Sequence, residues 1–191
     1  MEIKLIISDF DGTLVDTFEA NYRAYSDAFN QNGISLTREH YRNCFGMRFD
    51  RFMESCGIID EQIKNNICEA KAELYPTHFN LLRINYPLLN FIRVFHNSGG
   101  KTAIASTARE KNLINALQYI DAKNDFDIIL AGESVKKGKP NPDIYLSVLK
   151  MANVSHESAI IFEDSKVGFL AAQAAGINYI PIKNNFFENG N

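Results

Sequence analysis

The sequence predicts an α/β protein, a Rossmann-like parallel sheet core with helices on both faces and an inserted helical-bundle segment. Three observations predict it. An apolar strand at residues 3–8 runs out into Asp9-Phe10-Asp11-Gly12-Thr13-Leu14. Residues 17–83 carry apolar side chains at helical spacing throughout. From Pro87 onward, strand-like and helix-like stretches alternate to the end of the chain, the pattern of a parallel sheet with helical crossovers.

Each element has a local reason in the residues. Phe18, Tyr22, Tyr25 and Phe29 recur on one face of a helix, and Gly33 stops it. Thr37 caps a second helix carrying Tyr41 and Phe45, while Ile63, Ile67, Ala70 and Leu74 mark a third that starts near Asp60. Aromatic stripes of this kind make a core. A helix through Leu88, Ile92 and Phe95 ends at Ser98-Gly99-Gly100, and residues 101–105 read as a strand. Further strands are expected at 126–131, 159–162 and 179–182, with helices at 111–119 and 166–175 between them. Asn141 is expected to cap the helix that follows Lys139, with Pro142 in its first turn. Residues 183–191 are polar and Asn-rich, and are expected to fray.

Composition narrows the function classes. At 191 residues, 46% hydrophobic and 23% charged, the chain can bury the core of one large domain and a smaller one. A net charge of −3 and a pI near 5.8 argue against a nucleic-acid partner, which needs a clustered positive field. Cys44, Cys56 and Cys68 are odd in number with no CxxC spacing, which points to reduced thiols. His40, His78, His96 and His156 show no metal-ligand spacing. No apolar run reaches membrane length and the N-terminus opens on a strand, so a cytoplasmic protein without a membrane partner is expected, as a monomer or weak homodimer.

In open parallel sheets the ligand site lies beyond the carboxyl ends of the strands. The residues there are chemically consistent: Asp9 and Asp11 after the first strand, Ser106-Thr107 after the second, Lys136, Lys137 and Lys139 in the loop after the third, and Glu163-Asp164-Ser165 after the fourth. Asp9 and Asp11, two apart in extended chain, point to the same side while Phe10 is directed away. Gly12 lets the backbone leave the strand sharply. Paired carboxylates repel unless a cation or a shared proton relieves them, so a divalent metal is the natural third party. Structural roles compete with each of these readings. Asp-Gly pairs serve turns, Lys139 sits in a polar charge run, Asp164 and Ser165 precede a helix that they could simply cap, and Ser106 could be an ordinary strand-end hydroxyl whose role Thr107 takes.

The ordered set resembles the haloacid dehalogenase superfamily, in its phosphatase-like branch with a helical cap, the branch of phosphoglycolate phosphatase and beta-phosphoglucomutase. Asp9 to Thr17 is similar to the first family motif, Ser106 in Ile104-Ala105-Ser106-Thr107 to the second, Lys139 in Gly138-Lys139-Pro140-Asn141-Pro142-Asp143 to the third, and Glu163-Asp164-Ser165 with Gly168 to the fourth. The resemblance implies a core of residues 1–16 and 84–191 and a cap of residues 17–83. It implies a magnesium-dependent phosphatase acting on a small phosphate ester. Asp9 would be the nucleophile that becomes an aspartyl-phosphate, and Asp11 the acid-base group. Ser106 and Lys139 would bind phosphoryl oxygens. Asp9, the backbone carbonyl of Asp11 and Asp164 would hold Mg2+, with Glu163 as a ligand or a partner of the ligands.

Other members of the superfamily set the alternatives. A dehalogenase would not need a carboxylate at position 11. A sugar phosphomutase usually carries a histidine early in the cap, where this chain has Asn21, and a phosphonate-cleaving relative would use a cap lysine where this chain has Arg23. A non-catalytic phospho-ligand binding protein on the same fold is a further alternative. In Phe45-Gly46-Met47-Arg48-Phe49 a glycine breaks the helical pattern, and Arg48 is the candidate substrate contact against the alternative of an exposed helix-turn arginine. Glu19 and Asn21 are weaker candidates for the leaving group. Hinges for cap closure are expected near Asp16-Thr17 and Ile84-Asn85-Tyr86.

Overall fold

The computed structural model describes residues 2–183, and the expected fraying of the tail falls on residues 184–191, outside them. The chain divides into two compact units, Met1–Asp16 with Arg83–Asn191, and Thr17–Leu82. The strands, in chain order, are β1 (Leu5–Ser8), β2 (Val15–Asp16), β3 (Arg83–Ile84), β4 (Lys101–Ala105), β5 (Ile128–Leu130), β6 (Ala159–Glu163) and β7 (Asn178–Pro181). Five of them form one parallel sheet in the order β5-β4-β1-β6-β7. The chain steps outward from β1 through β4 to β5, then crosses back to β6 on the other side. That reversal makes the crevice between β1 and β6 a topological switch point.

The strand register places the site. Ser8 lies opposite Ile104 on one side and Phe162 on the other, so the residues that follow these three positions emerge together at one edge of the sheet. Strand ends differ from the periodicity by one to two residues, as ladders fray at their ends. β2 and β3 carry no periodic signal, because each is two residues long. They pair antiparallel, Val15 with Ile84 and Asp16 with Arg83, and the Arg83 guanidinium adds bonds of 2.6 and 3.2 Å to Asp16 Oδ2. The segments expected to hinge are thus hydrogen-bonded to each other.

The helical unit holds α1 (Phe18–Gln31), α2 (Arg38–Cys44), α3 (Phe49–Ser55) and α4 (Glu61–Leu74), followed by a 3-10 turn at Tyr75–Leu81. Thr37 accepts the His40 N–H and Asp60 the Ile63 N–H, so two caps expected from the sequence are made. Phe45 falls just past α2, and α3 is an addition: as short as α2, it starts after Arg48 and not after a capping residue such as Thr37 that would announce it. Phe29, Tyr41, Phe52, Met53 and Ile67 are buried together as one core. The Tyr41 ring lies 5.5 Å from those of both Phe18 and Phe52, so the aromatic stripe of α1 packs against α2 and α3.

Helices α5 (Tyr86–Asn97), α6 (Glu110–Tyr119), α7 (Asp143–Ala152) and α8 (Lys166–Ala174) complete the other unit. Leu5, Ile7, Ala103 and Ala105 pack with Ile144, Tyr145 and Val148 of α7 and Ala171 and Ala172 of α8. Ile6 and Ile104, pointing the other way along the same strands, are equally buried, as are Leu88, Leu89 and Ile92 of α5 and Leu113 and Leu117 of α6. One expectation is corrected. Pro142, not Asn141, occupies the N-cap of α7, and the Asn141 amide instead donates to Gly138 O at 3.2 Å. Proline carries no side-chain acceptor, so it closes none of the helix's first N–H groups, and the Asn141 side chain ties the preceding turn instead.

Truncating Ile67, which is fully buried in the helical unit, is expected to cost about 2–5 kcal/mol, whereas Ile59→Ala, 82% exposed, should stay within about 0.5 kcal/mol. Urea unfolding of both variants checks this, and equal effects would refute the assigned core.

Candidate active site

The site begins where β1 ends. The Asp9 N–H still donates to Phe162 O at 2.9 Å, so the sheet ladder holds the Asp9 backbone one residue past the strand. Phe10 is buried, and the chain then folds into a tight loop in which the Leu14 and Val15 N–H groups both donate to Phe10 O. Gly12 makes that loop at a φ of 90°, and a Cβ there would come within 2.3 Å of Asp164 Oδ2. The position requires glycine on both counts.

A buried ionic cluster fills the crevice between β1 and β6. Lys139 Nζ donates to Asp9 Oδ1 at 2.6 Å and to Glu163 Oε2 at 2.7 Å, with its side chain 2% exposed. Tyr145 of α7 donates its hydroxyl to the same Glu163 oxygen at 2.7 Å. Glu163 Oε1 accepts the Asp164 and Ser165 N–H groups and the Ser165 hydroxyl, at 2.9 to 3.1 Å. Asp164 Oδ1 accepts the Thr13 hydroxyl at 2.9 Å. Beside this cluster, Ser106 Oγ donates to Asp11 Oδ2 at 3.2 Å while accepting the Ala108 N–H. Asp9, Asp11, Ser106, Lys139, Glu163 and Asp164 therefore converge, as the spacing of their motifs predicts.

Burial and like charge set the electrostatics. Burial, and next the charge of Glu163, push the Asp9 carboxyl well above its ordinary range, although Lys139 pulls the other way. Burial and then Glu163 likewise lift Asp164 to about 7. Burial would also raise Glu163, but Lys139, Tyr145 and the Ser165 N–H together bring it below its usual value. Burial disfavours the Lys139 ammonium, and the Asp9 and Glu163 carboxylates more than reverse that. One buried ammonium thus faces three acids.

Asp9, Glu163 and Asp164 can each offer an oxygen within 4.8 Å of the others. An all-carboxylate donor set with this excess of negative charge fits a hard divalent cation. The three are not equivalent. Glu163 accepts five hydrogen bonds, three on one oxygen and two on the other, whereas Asp9 and Asp164 each accept from one side-chain donor.

The remaining candidates lie apart in the chain. Thr107 follows Ser106 in the loop after β4, and its carbonyl lies so near Gly132 that a Cβ there would come within 2.4 Å. Arg48 belongs to the helical unit, at the N-cap of α3. In the same unit Glu19 is ion-paired with Arg23 at 2.9 Å and Arg38 at 2.5 Å, and Asn21 is buried. Sequence reasoning overlooked Thr13 and Tyr145. Tyr145 reads only as one more apolar residue on the inner face of α7, and Thr13 as a turn residue.

Gly168 carries a sharp expectation. A Cβ there would lie 2.0 Å from both Cδ and Oε2 of Glu163, so alanine must push that carboxylate out of its hydrogen bonds. Helix propensity alone would make Gly168→Ala stabilising by about 0.5–1 kcal/mol. The collision is expected to reverse the sign, to a loss of about 1–3 kcal/mol in urea unfolding.

Comparison with known proteins agrees with this geometry. The family model of haloacid dehalogenase-like hydrolases matches residues 6–182. The chain is 32% identical over 184 residues to a phosphorylated carbohydrates phosphatase of Thermotoga maritima, covering 93% of this chain and 84% of that one. It is 30% identical over 193 residues to the protein CbbY of Rhodobacter capsulatus, covering 94% and 85%. A crystal structure of CbbY from Rhodobacter sphaeroides in complex with xylulose-(1,5)bisphosphate superposes with a TM-score of 0.82 at 28% identity, over 95% of this chain and 88% of that one. A match that spans both the sheet and the inserted helices, with the acids, the hydroxyl and the lysine at the ends of its strands, places the chain among the haloacid dehalogenase-like hydrolases.

Proposed function

We propose that this hydrolase is a magnesium-dependent phosphatase of small phosphorylated metabolites, working through an aspartyl-phosphate on Asp9. The observation that carries it is the Lys139 bridge: a buried ammonium on Asp9 Oδ1, at the carboxyl end of the central strand, beside the acids that would hold a cation. The relatives named for phosphorylated carbohydrates, and a neighbour whose structure holds a sugar bisphosphate, support a phosphorylated sugar or similar small ester as substrate.

In the first half-reaction an Asp9 carboxylate oxygen attacks phosphorus as the ester P–O bond breaks, and Asp11 gives its proton to the departing alcohol oxygen. Asp11 then takes a proton from water, whose oxygen attacks the same phosphorus, and inorganic phosphate leaves with the Asp9 carboxylate restored. Lys139 and Ser106, with Thr107 beside it, would hold phosphoryl oxygens as charge spreads over them in the transition state. Magnesium, when bound by Asp9, Asp164 and the Asp11 carbonyl, supplies further positive charge to those oxygens. Glu163, engaged by five protein donors, holds these ligands in place instead of joining them. The helical unit serves as a cap that selects the leaving group, with Arg48 reading an anionic substituent. Asn21, at the position where similar phosphomutases carry histidine, favours water over a second sugar hydroxyl as the final acceptor.

Phosphate release from a panel of small phosphate esters tests the reading. Asp9→Asn is expected to reduce magnesium-dependent release to background, and Asp11→Asn to lower it by about 10²–10⁴-fold. Unimpaired turnover in Asp9→Asn would overturn the mechanism, while ligand binding with no turnover in the native chain would mark a binding protein.

A pH dependence follows from Asp164. Its folded value of about 7 lies above the unfolded 3.8, so the stability it confers on the metal-free protein is present in full below about pH 4 and is lost as pH rises through 7. A divalent cation takes the deprotonated acid and must displace a proton at lower pH. Magnesium should therefore raise the thermal midpoint more at about pH 8 than at about pH 5.5. Equal gains at both values would exclude Asp164 as a ligand.

A further inference from the structure

Tyr145 is the bulkiest of the fully buried side chains among the described residues, and packing explains only its ring. Phenylalanine would fill the same space between α7 and the sheet. The hydroxyl donates to Glu163 Oε2 at 2.7 Å, the oxygen that also takes Lys139 Nζ at 2.7 Å. The Tyr145 ring centroid lies 5.0 Å from that same ammonium. Lys139 is therefore confined by the ring and contested by two carboxylates, Asp9 Oδ1 at 2.6 Å and Glu163 Oε2.

The contest decides where the ammonium rests. Glu163 Oε1 accepts from three donors, but Oε2, among the described residues, accepts from Lys139 and the tyrosine alone. Without the hydroxyl, Oε2 would rely on the lysine alone, and its field in a buried setting would draw the ammonium from Asp9 toward Glu163. We propose that Tyr145 is a positioning residue for phosphoryl transfer: its hydroxyl shares the charge of Glu163 so that Lys139 stays on the reacting carboxylate, Asp9. What is positioned rests on the phosphatase reading; that Tyr145 acts through Glu163 does not.

The test is a double-mutant cycle on the full chain, comparing wild type, Tyr145→Phe, Glu163→Gln and the double variant. With magnesium and the ester panel, Tyr145→Phe should lower kcat/KM by about tenfold, the scale of a hydrogen bond to a charged group. In the Glu163→Gln background the same change should cost less than about twofold. Urea unfolding of the same four proteins without magnesium reads the coupling independently of turnover, and serves wherever Glu163→Gln is inactive. Non-additive losses in stability are expected. A packing role would cost the same in both backgrounds, and that result, or a Tyr145→Phe enzyme equal to wild type, overturns the proposal. Should wild type turn over no ester at all, the phosphatase reading falls, and the unfolding cycle alone decides whether Tyr145 acts through Glu163.

Discussion

The Lys139 bridge between Asp9 and Glu163 is the interaction on which the rest of the sheet unit depends. Burying two charges against a third costs several kcal/mol per ion unless geometry and further hydrogen bonds compensate. The fold supplies both. β1 and β6 are adjacent and parallel with Ser8 opposite Phe162, so Asp9 and Glu163 leave the sheet as neighbours. α8 then begins close enough that only glycine fits at 168, and its first turn turns Ser165 onto Glu163. Each of these is a backbone constraint that exists to hold one carboxylate still.

The helical unit is organised on different terms. Its core is aromatic and aliphatic, and its caps are local, Thr37 and Asp60 each closing the helix that follows. A core of that kind draws its stability from packing within the unit and not from buried charge. At the junction of the sequence segments, the two short strands β2 and β3 pair, and Asn85 donates to Thr13 O while capping α5. The Asp9-to-Asp16 loop is thereby tied to the chain that returns from the helices.

Much of this was legible in the sequence because the determinants are local. The five sheet strands, the aromatic face of α1 and the caps at Thr37, Asp60 and Ser165 each follow from a few adjacent residues. The four motif positions were legible because strand ends in a parallel sheet must share one edge. What escaped has no local signature. β2 and β3 exist only by pairing across a long insertion, α3 has Arg48 at its N-cap where α2, equally short, has the legible Thr37, and Pro142 took the N-cap position expected of Asn141. Tyr145 escaped for the same reason: a hydrogen bond between α7 and the end of β6 cannot be read from either segment alone.

Two aspartates separated by one residue meet different surroundings here. Asp9 is held against Lys139 in a buried cluster, where burial and Glu163 favour its protonated form. Asp11 is less buried and meets the hydroxyl of Ser106 instead of the ammonium. On the proposed reading Asp9 must attack as a carboxylate, so the cluster as it stands works against it. The acids that create the difficulty also offer its remedy, because carboxylates within 4.8 Å of one another would favour a divalent cation between them. Lys139 is a single charge shared between Asp9 and Glu163, so it leaves the cluster of three acids net negative. On the proposed reading the Asp9 carboxylate would be restrained until a cation neutralised its neighbours, while Asp11, one residue past Phe10, faces the Ser106 hydroxyl on the other side of the site.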